Sequence, residues 1–230
     1  MKKIVSLLTG ILFFTSIVFG QITLEHSTIV HDGKGRSYFA MAGTSVSYYG
    51  NGSVHIFTPQ TNTIVKDGKD RTYFALAGHQ VSLYENGSIE SFYPKNNTTV
   101  KDGKGRTYFA LAGKQITLYK NGGVSSFYPK NNTTVKDGKG RTYFALAGYQ
   151  INLYEDGSLK SFYPKNSTLV KDGKGRSYFV LAGKEVTFYP NGNVKSFYSK
   201  NTTSVWDASG RSYRVKAGTK VNLDINGNLH

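Results

Sequence analysis

The sequence predicts an all-β protein built from six tandem 35-residue repeats of short antiparallel strands, and three observations carry that reading. The arginine of one turn recurs as Arg36, Arg71, Arg106, Arg141, Arg176 and Arg211, a constant step of 35 residues without insertion or deletion. Each copy holds short runs of β-branched and aromatic residues separated by turn chemistry, in the third copy the pairs Asp-Gly, Ala-Gly and Asn-Gly. No stretch keeps a helical period of apolar residues for three turns. A fixed period of this length belongs to architectures in which each unit leans on its neighbours.

The third unit, residues 95–129, shows the elements in order. Thr98–Lys101 is rich in β-branched residues and forms the first strand. Asp102-Gly103-Lys104-Gly105 turns the chain, because Asp bonds its own backbone and Gly accepts a positive φ. Residues 106–111 form the second strand and end at the Ala112-Gly113 bend. Residues 115–119 form the third, the Asn121-Gly122 hairpin follows, and residues 124–128 form the fourth. Pro129 cannot donate to a ladder, so it ends the strand and opens the link through Lys130, Asn131 and Asn132.

Alternation within the strands divides each into two faces. Phe109 and Leu111 share one face of the second strand, Tyr108 and Ala110 the other, while Ile116 and Leu118 alternate with Thr117 and Tyr119. The aliphatic face is expected to be covered and the tyrosine-rich face to meet solvent. Recurrence sets rows, Phe39, Phe74, Phe109, Phe144 and Phe179 in one and Tyr38, Tyr73, Tyr108, Tyr143, Tyr178 and Tyr213 in the next. Units that must cover an aliphatic face wind or stack, which gives an open or superhelical β-array. The alternative is a closed six-bladed β-propeller, favoured by the integer number of units although 35 residues are few for a four-stranded blade. In the last copy Trp206-Asp207-Ala208-Ser209-Gly210 replaces the lysine-rich turn, Arg214 replaces the Phe and Asp224 a Tyr, which predicts a polar C-terminal cap.

Lys2 and Lys3 precede an apolar run over residues 4–19, with Val18 and Gly20 placed for cleavage, so residues 1–20 are expected to be a signal peptide. Residues 21–230 then form a single repeat domain, destined for secretion, the periplasm or the outer surface of a bacterial cell. No later segment is apolar enough to span a bilayer, and the absence of cysteine excludes a disulfide framework and a lipid-bearing cysteine. Removing Lys2 and Lys3 lowers the basic count from 29 to 27 against 14 acids, which leaves +13. Such an excess points to anionic partners such as acidic polysaccharide, cell-wall polymer or free nucleic acid.

The segment Leu83-Tyr84-Glu85-Asn86-Gly87-Ser88-Ile89-Glu90-Ser91-Phe92-Tyr93 resembles the hairpin of bacterial MORN-variant repeats, in which aromatic strands alternate with Asn-Gly turns. The resemblance covers under half of each unit, and the longer period and the Lys-Asp-Gly-Lys-Gly-Arg turn depart from it. It implies an interaction scaffold of meandering hairpins and no catalytic residue.

Several chemistries are excluded by spacing. The turn 101–106 has glycines and cations, but a phosphate loop needs a helix after it and here a strand follows. A calcium loop needs clustered acids, whereas each turn has one Asp, so only several turns side by side could assemble a site. His26, His31, His55, His79 and His230 occupy unrelated phases, and no unique carboxylate pair serves a glycosidase. Asn51, Asn97, Asn132 and Asn201 match the glycosylation pattern but read as loop chemistry. No catalytic residue, cofactor or metal is expected. Near-identical units make near-identical sites, the arrangement of avidity. The candidate binding residues are Lys66, Lys101, Lys136 and Lys171, Arg71, Arg106, Arg141 and Arg176, and Tyr73, Tyr108, Tyr143 and Tyr178. Cations beside tyrosines suit an extended anionic glycan or similar polymer. The other reading is a structural or protein-interaction scaffold whose charge serves solubility and guards strand edges.

Overall fold

The computed structural model describes residues 20–230, so the expected signal peptide falls outside the described residues except for Gly20. The described chain contains 24 short strands, all paired antiparallel. In the third unit Thr98–Lys101 pairs with Thr107–Ala110, placing Val100 opposite Tyr108 and Thr99 opposite Phe109. That pair is a hairpin on its own. The third strand, Ile116–Leu118, and the fourth, Val124–Phe127, instead join a 12-stranded sheet that runs through every unit. Within it Thr117 lies opposite Ser91 of the preceding unit and Ser126 of its own, and Ser126 lies opposite Asn152 of the next.

The array is open. Gly20–Thr23 borders the sheet at one end, paired with Ser45–Tyr48, and Lys220–Asn222 borders it at the other, paired with Val194–Tyr198. The propeller alternative fails because the third and fourth strands hydrogen-bond across unit boundaries instead of closing separate four-stranded blades.

Two turns per unit use one device. The Gly105 amide donates to the Asp102 carbonyl at 3.0 Å, the Asp102 amide donates to the Arg106 carbonyl at 3.0 Å, and Gly105 sits at φ 79. The Tyr119 turn repeats this with Gly122 at φ 83. Each is a three-residue loop whose last member is left-handed. The positive φ therefore falls on the second glycine of the turn and not on the Asp-Gly glycine. Gly103 is required for another reason, since a Cβ there would lie 2.1 Å from the Glu155 carbonyl oxygen of the next unit. Where a second glycine is missing, Asp70 takes the left-handed conformation at φ 56.

The core lies between the row of hairpins and the sheet. Val100, Tyr108 and Ala110 enter it from the hairpin, and Ile116, Leu118, Val124 and Phe127 from the sheet. The rings of Tyr108 and Phe127 pack at 5.1 Å between centroids. The second strand is thus turned over relative to the expectation: tyrosine is inside and Phe109, 42% exposed, is outside. Burial of the phenol is compensated, because its hydroxyl donates to Asp102 Oδ2 at 3.0 Å.

Candidate functional site on the outward hairpin face

The predicted arginines and tyrosines converge on the turn aspartates. Asp102 is 1% exposed; its Oδ1 accepts the amides of Lys104 and Arg106, and its Oδ2 accepts Arg106 Nε at 2.6 Å and the Tyr108 hydroxyl. Arg106 Nη2 also donates to the carbonyl of Gly157 in the next unit. Arg71, Arg141 and Arg176 do the same with Asp67, Asp137 and Asp172 and with the carbonyls of Gly122, Gly192 and Gly227. Tyr73, Tyr108, Tyr143 and Tyr178 are buried, and burial first, with the aspartate alongside, pushes their phenols well above the usual range. These four tyrosines present no ring to a ligand, and the four arginines are built into the joint between units. This corrects the expected basic and tyrosine-lined stripe.

The predicted lysines stand elsewhere. Lys101, Lys136 and Lys171 are exposed and Lys66 half-buried, each two residues beyond the outward-facing residue of its first strand. Across the hairpin from that residue stands the phenylalanine row, with Phe74, Phe109 and Phe144 at 53%, 42% and 41% exposure. Over three rings lies the ammonium that opens the following unit: Lys130 at 5.7 Å from the Phe109 centroid, Lys165 at 5.4 Å from Phe144 and Lys200 at 4.7 Å from Phe179. In the last unit Trp206 stands in the place of the turn lysine Lys171, and Arg176 stacks on it at 4.7 Å.

In the second to fifth units the outward face therefore carries one ring, exposed in Phe74, Phe109 and Phe144 and half-buried in Phe179, and two lysines. Two strands per unit at about 4.8 Å each set a step of about 10 Å. The phenylalanines were legible as a row but assigned to the wrong side. Lys130, Lys165 and Lys200 share a constant phase after the strand-ending position, the signal that could have added them to the site. The sequon asparagines serve loops: Asn97 Oδ1 accepts the Ala112 amide at 2.9 Å, and Asn132 Oδ1 accepts the Ala147 amide at 2.9 Å. The network of Asp207, Arg211 and Tyr213 is made as in the other units but is exposed.

A comparison with known protein families finds no match, and a comparison with curated proteins finds none either. Among solved structures, the chain is matched to the wild-type TCP10 domain of Danio rerio CPAP in complex with a peptide of Danio rerio STIL, at 17% identity over 88% of this chain and 100% of that one. The TM-score is 0.15, and a likeness of that size carries no argument about fold or partner.

Proposed function

We propose that this is a secreted or cell-surface bacterial repeat protein, non-enzymatic, that binds an extended anionic glycan or similar polymer at many points along its outward hairpin face. The observation that supports this is the recurrence, in the third, fourth and fifth units, of an exposed or half-buried phenylalanine beneath a lysine, with a second lysine on the same hairpin. A ring can take the apolar face of a sugar while the ammonium groups meet its carboxylate or sulfate. Single contacts of this kind are weak, and their regular repetition converts them into avidity.

Heparin and polygalacturonate, titrated into the purified protein over a salt series, test the reading. Binding is expected at low salt and should fall steeply toward physiological salt, where charges are screened over about 8 Å. No binding of either polymer at low salt, or binding indifferent to salt, rules it out. A second reading, a structural or protein-interaction scaffold with MORN-like hairpins, draws on Ile29, Ile64 and Leu169. These stand opposite Phe39, Phe74 and Phe179 and are 59%, 51% and 56% exposed, an apolar surface suited to a protein partner.

A further inference from the structure

The other face of the molecule is the outer face of the long sheet. There the second to fifth units carry a serine, threonine or asparagine in the third strand, a serine in the fourth and a half-buried tyrosine just past the third strand, and the first unit has Ile56 in place of the fourth-strand serine. Thr117 Oγ1 contacts Ser125 Oγ at 2.6 Å and Ser126 Oγ at 2.7 Å, Asn152 Nδ2 donates to Ser161 Oγ at 2.8 Å, and Thr187 Oγ1 meets Ser196 Oγ at 2.8 Å. The tyrosines hold their place by donating to the next unit, Tyr84 to the Leu118 carbonyl and Tyr119 to the Leu153 carbonyl, both at 2.8 Å.

A second position on this face is His55, Glu90, Ser125, Lys160 and Lys195 in the first to fifth units. In the fourth and fifth units the lysine lies across the tyrosine, Lys160 at 5.8 Å from the Tyr154 centroid and Lys195 at 5.6 Å from Tyr189. In the third unit the residue is Ser125, too short to cover Tyr119. A cleft of about 410 Å³ opens there, lined by Ser82, Tyr84, Glu90, Ser91, Thr117 and Tyr119 among others. His55 closes one end, its Nε2 3.7 Å from Glu90 Oε2.

We infer that this cleft binds a neutral saccharide residue. The Tyr119 ring supplies a flat apolar wall for the face of a pyranose. Glu90 supplies two acceptor oxygens for a pair of adjacent sugar hydroxyls, and the Ser82, Ser91 and Thr117 hydroxyls donate or accept as a polyol requires. Among the lining residues Glu90 is the one acid, with the His55 imidazole 3.7 Å from it, and no lysine or arginine lines the cleft. An acidic sugar would meet Glu90 as a like charge, so the occupant is neutral. The cleft lies across the core from the lysine row, so it does not depend on the anionic-polymer reading.

The array supplies a safe test, because the fourth and fifth units already fold with lysine at the variable position. Saturation-transfer NMR on the purified protein with cellotetraose, xylotetraose, chitotetraose and maltotetraose is expected to show transfer to at least one, with tetragalacturonate as the acidic comparator. Ser125→Lys should lower that affinity at least tenfold with an unchanged circular dichroism spectrum, and Glu90→Gln should lower it severalfold. Absence of transfer to every neutral sugar at millimolar concentration overturns the proposal. So does binding that Ser125→Lys and Glu90→Gln leave intact, or transfer to tetragalacturonate alone.

Discussion

Arg106 and Gly157 stand 51 residues apart in sequence, and the guanidinium Nη2 of the one donates to the backbone carbonyl of the other across a unit boundary. The same guanidinium grips its own Asp102 through Nε at 2.6 Å. One side chain thus ties the hairpin of each unit to the sheet turn of the next.

The carboxylate at the centre of this latch is fully buried, and removing its charge leaves a half-buried cation and several donors without a full partner. Asp102→Asn is expected to cost roughly 3–5 kcal/mol in a urea titration. Asp207→Asn, in the exposed terminal copy, should change stability little. Equal effects at the two positions would show that burial and the inter-unit contact contribute nothing.

Deleting residues 95–129 should leave a folded protein. The junction then places the turn of the second unit against what was the fourth, and Arg71 meets the carbonyl of Gly157 in the geometry that it now has with Gly122. In a nearest-neighbour array the loss is one unit and one interface. Circular dichroism and denaturation of the shortened chain check this, and an unfolded product would mean that the array is not additive.

Two glycines separate close approach from conformational strain. Gly113→Ala meets open space but forces alanine to φ 67, which costs about 1–2 kcal/mol. Gly103→Ala has an ordinary φ, yet its Cβ would press on the Glu155 carbonyl at 2.1 Å, so the units must part. Gly103→Ala should be the more damaging by chemical denaturation. The reverse order would show that the turn yields more easily than this packing implies.

The strand boundaries were legible to within one or two residues, because Asp-Gly, Ala-Gly and Asn-Gly pairs punctuate β-branched runs at fixed phase. The side of the second strand that faces inward was not. Tyr108 and Phe109 are both large aromatic residues, and alternation separates two faces without saying which is buried. What decides it is a polar network: the Tyr108 hydroxyl has a buried acceptor in Asp102, itself neutralised by Arg106. The spacing of Asp102, Arg106 and Tyr108 recurs in every unit, and that recurrence was the available clue. The cleft at Tyr119 was out of reach for another reason, since it arises where Ser125 breaks the repeat and no periodic argument looks for exceptions.

Alkaline pH should unfold the protein cooperatively. Burial pushes the phenol of Tyr84 up to about 12, and those of Tyr38, Tyr73, Tyr108, Tyr143 and Tyr178 further. A free phenol ionises near pH 10, so the folded state holds protons that the unfolded chain releases. The stabilisation is full below about pH 10 and is lost as the pH rises through the folded-state values. Tyrosinate absorbance and far-ultraviolet circular dichroism should therefore change together above pH 10. Titration of all the tyrosines with the secondary structure intact would contradict the burial of the tyrosine row.

The open order of the sheet predicts an elongated particle. Twelve strands at about 4.8 Å span roughly 50 Å along the sheet, whereas a compact chain of this size has a radius of gyration of about 17 Å. Small-angle scattering should give a larger radius and a skewed distance distribution, and a hollow-disc profile would restore the ring.

The proposed polymer surface can be divided by mutation, because its charges and its rings stand on the same hairpins and do not take part in the latches. Replacing Lys101, Lys136 and Lys171 with Gln removes exposed cations without touching the buried aspartates. It should weaken binding of an acidic polymer in steps, with the triple variant losing far more than the sum of the singles' small losses and showing a flatter salt dependence. Replacing Phe109 and Phe144 with Ser removes the rings beneath Lys130 and Lys165. It should lower affinity while leaving the salt dependence nearly unchanged, because the ring contributes contact and not charge. Polymer binding that survives both sets of changes would place the interaction on another surface, and loss of salt dependence in the phenylalanine variant would show that the rings act only by positioning the lysines above them.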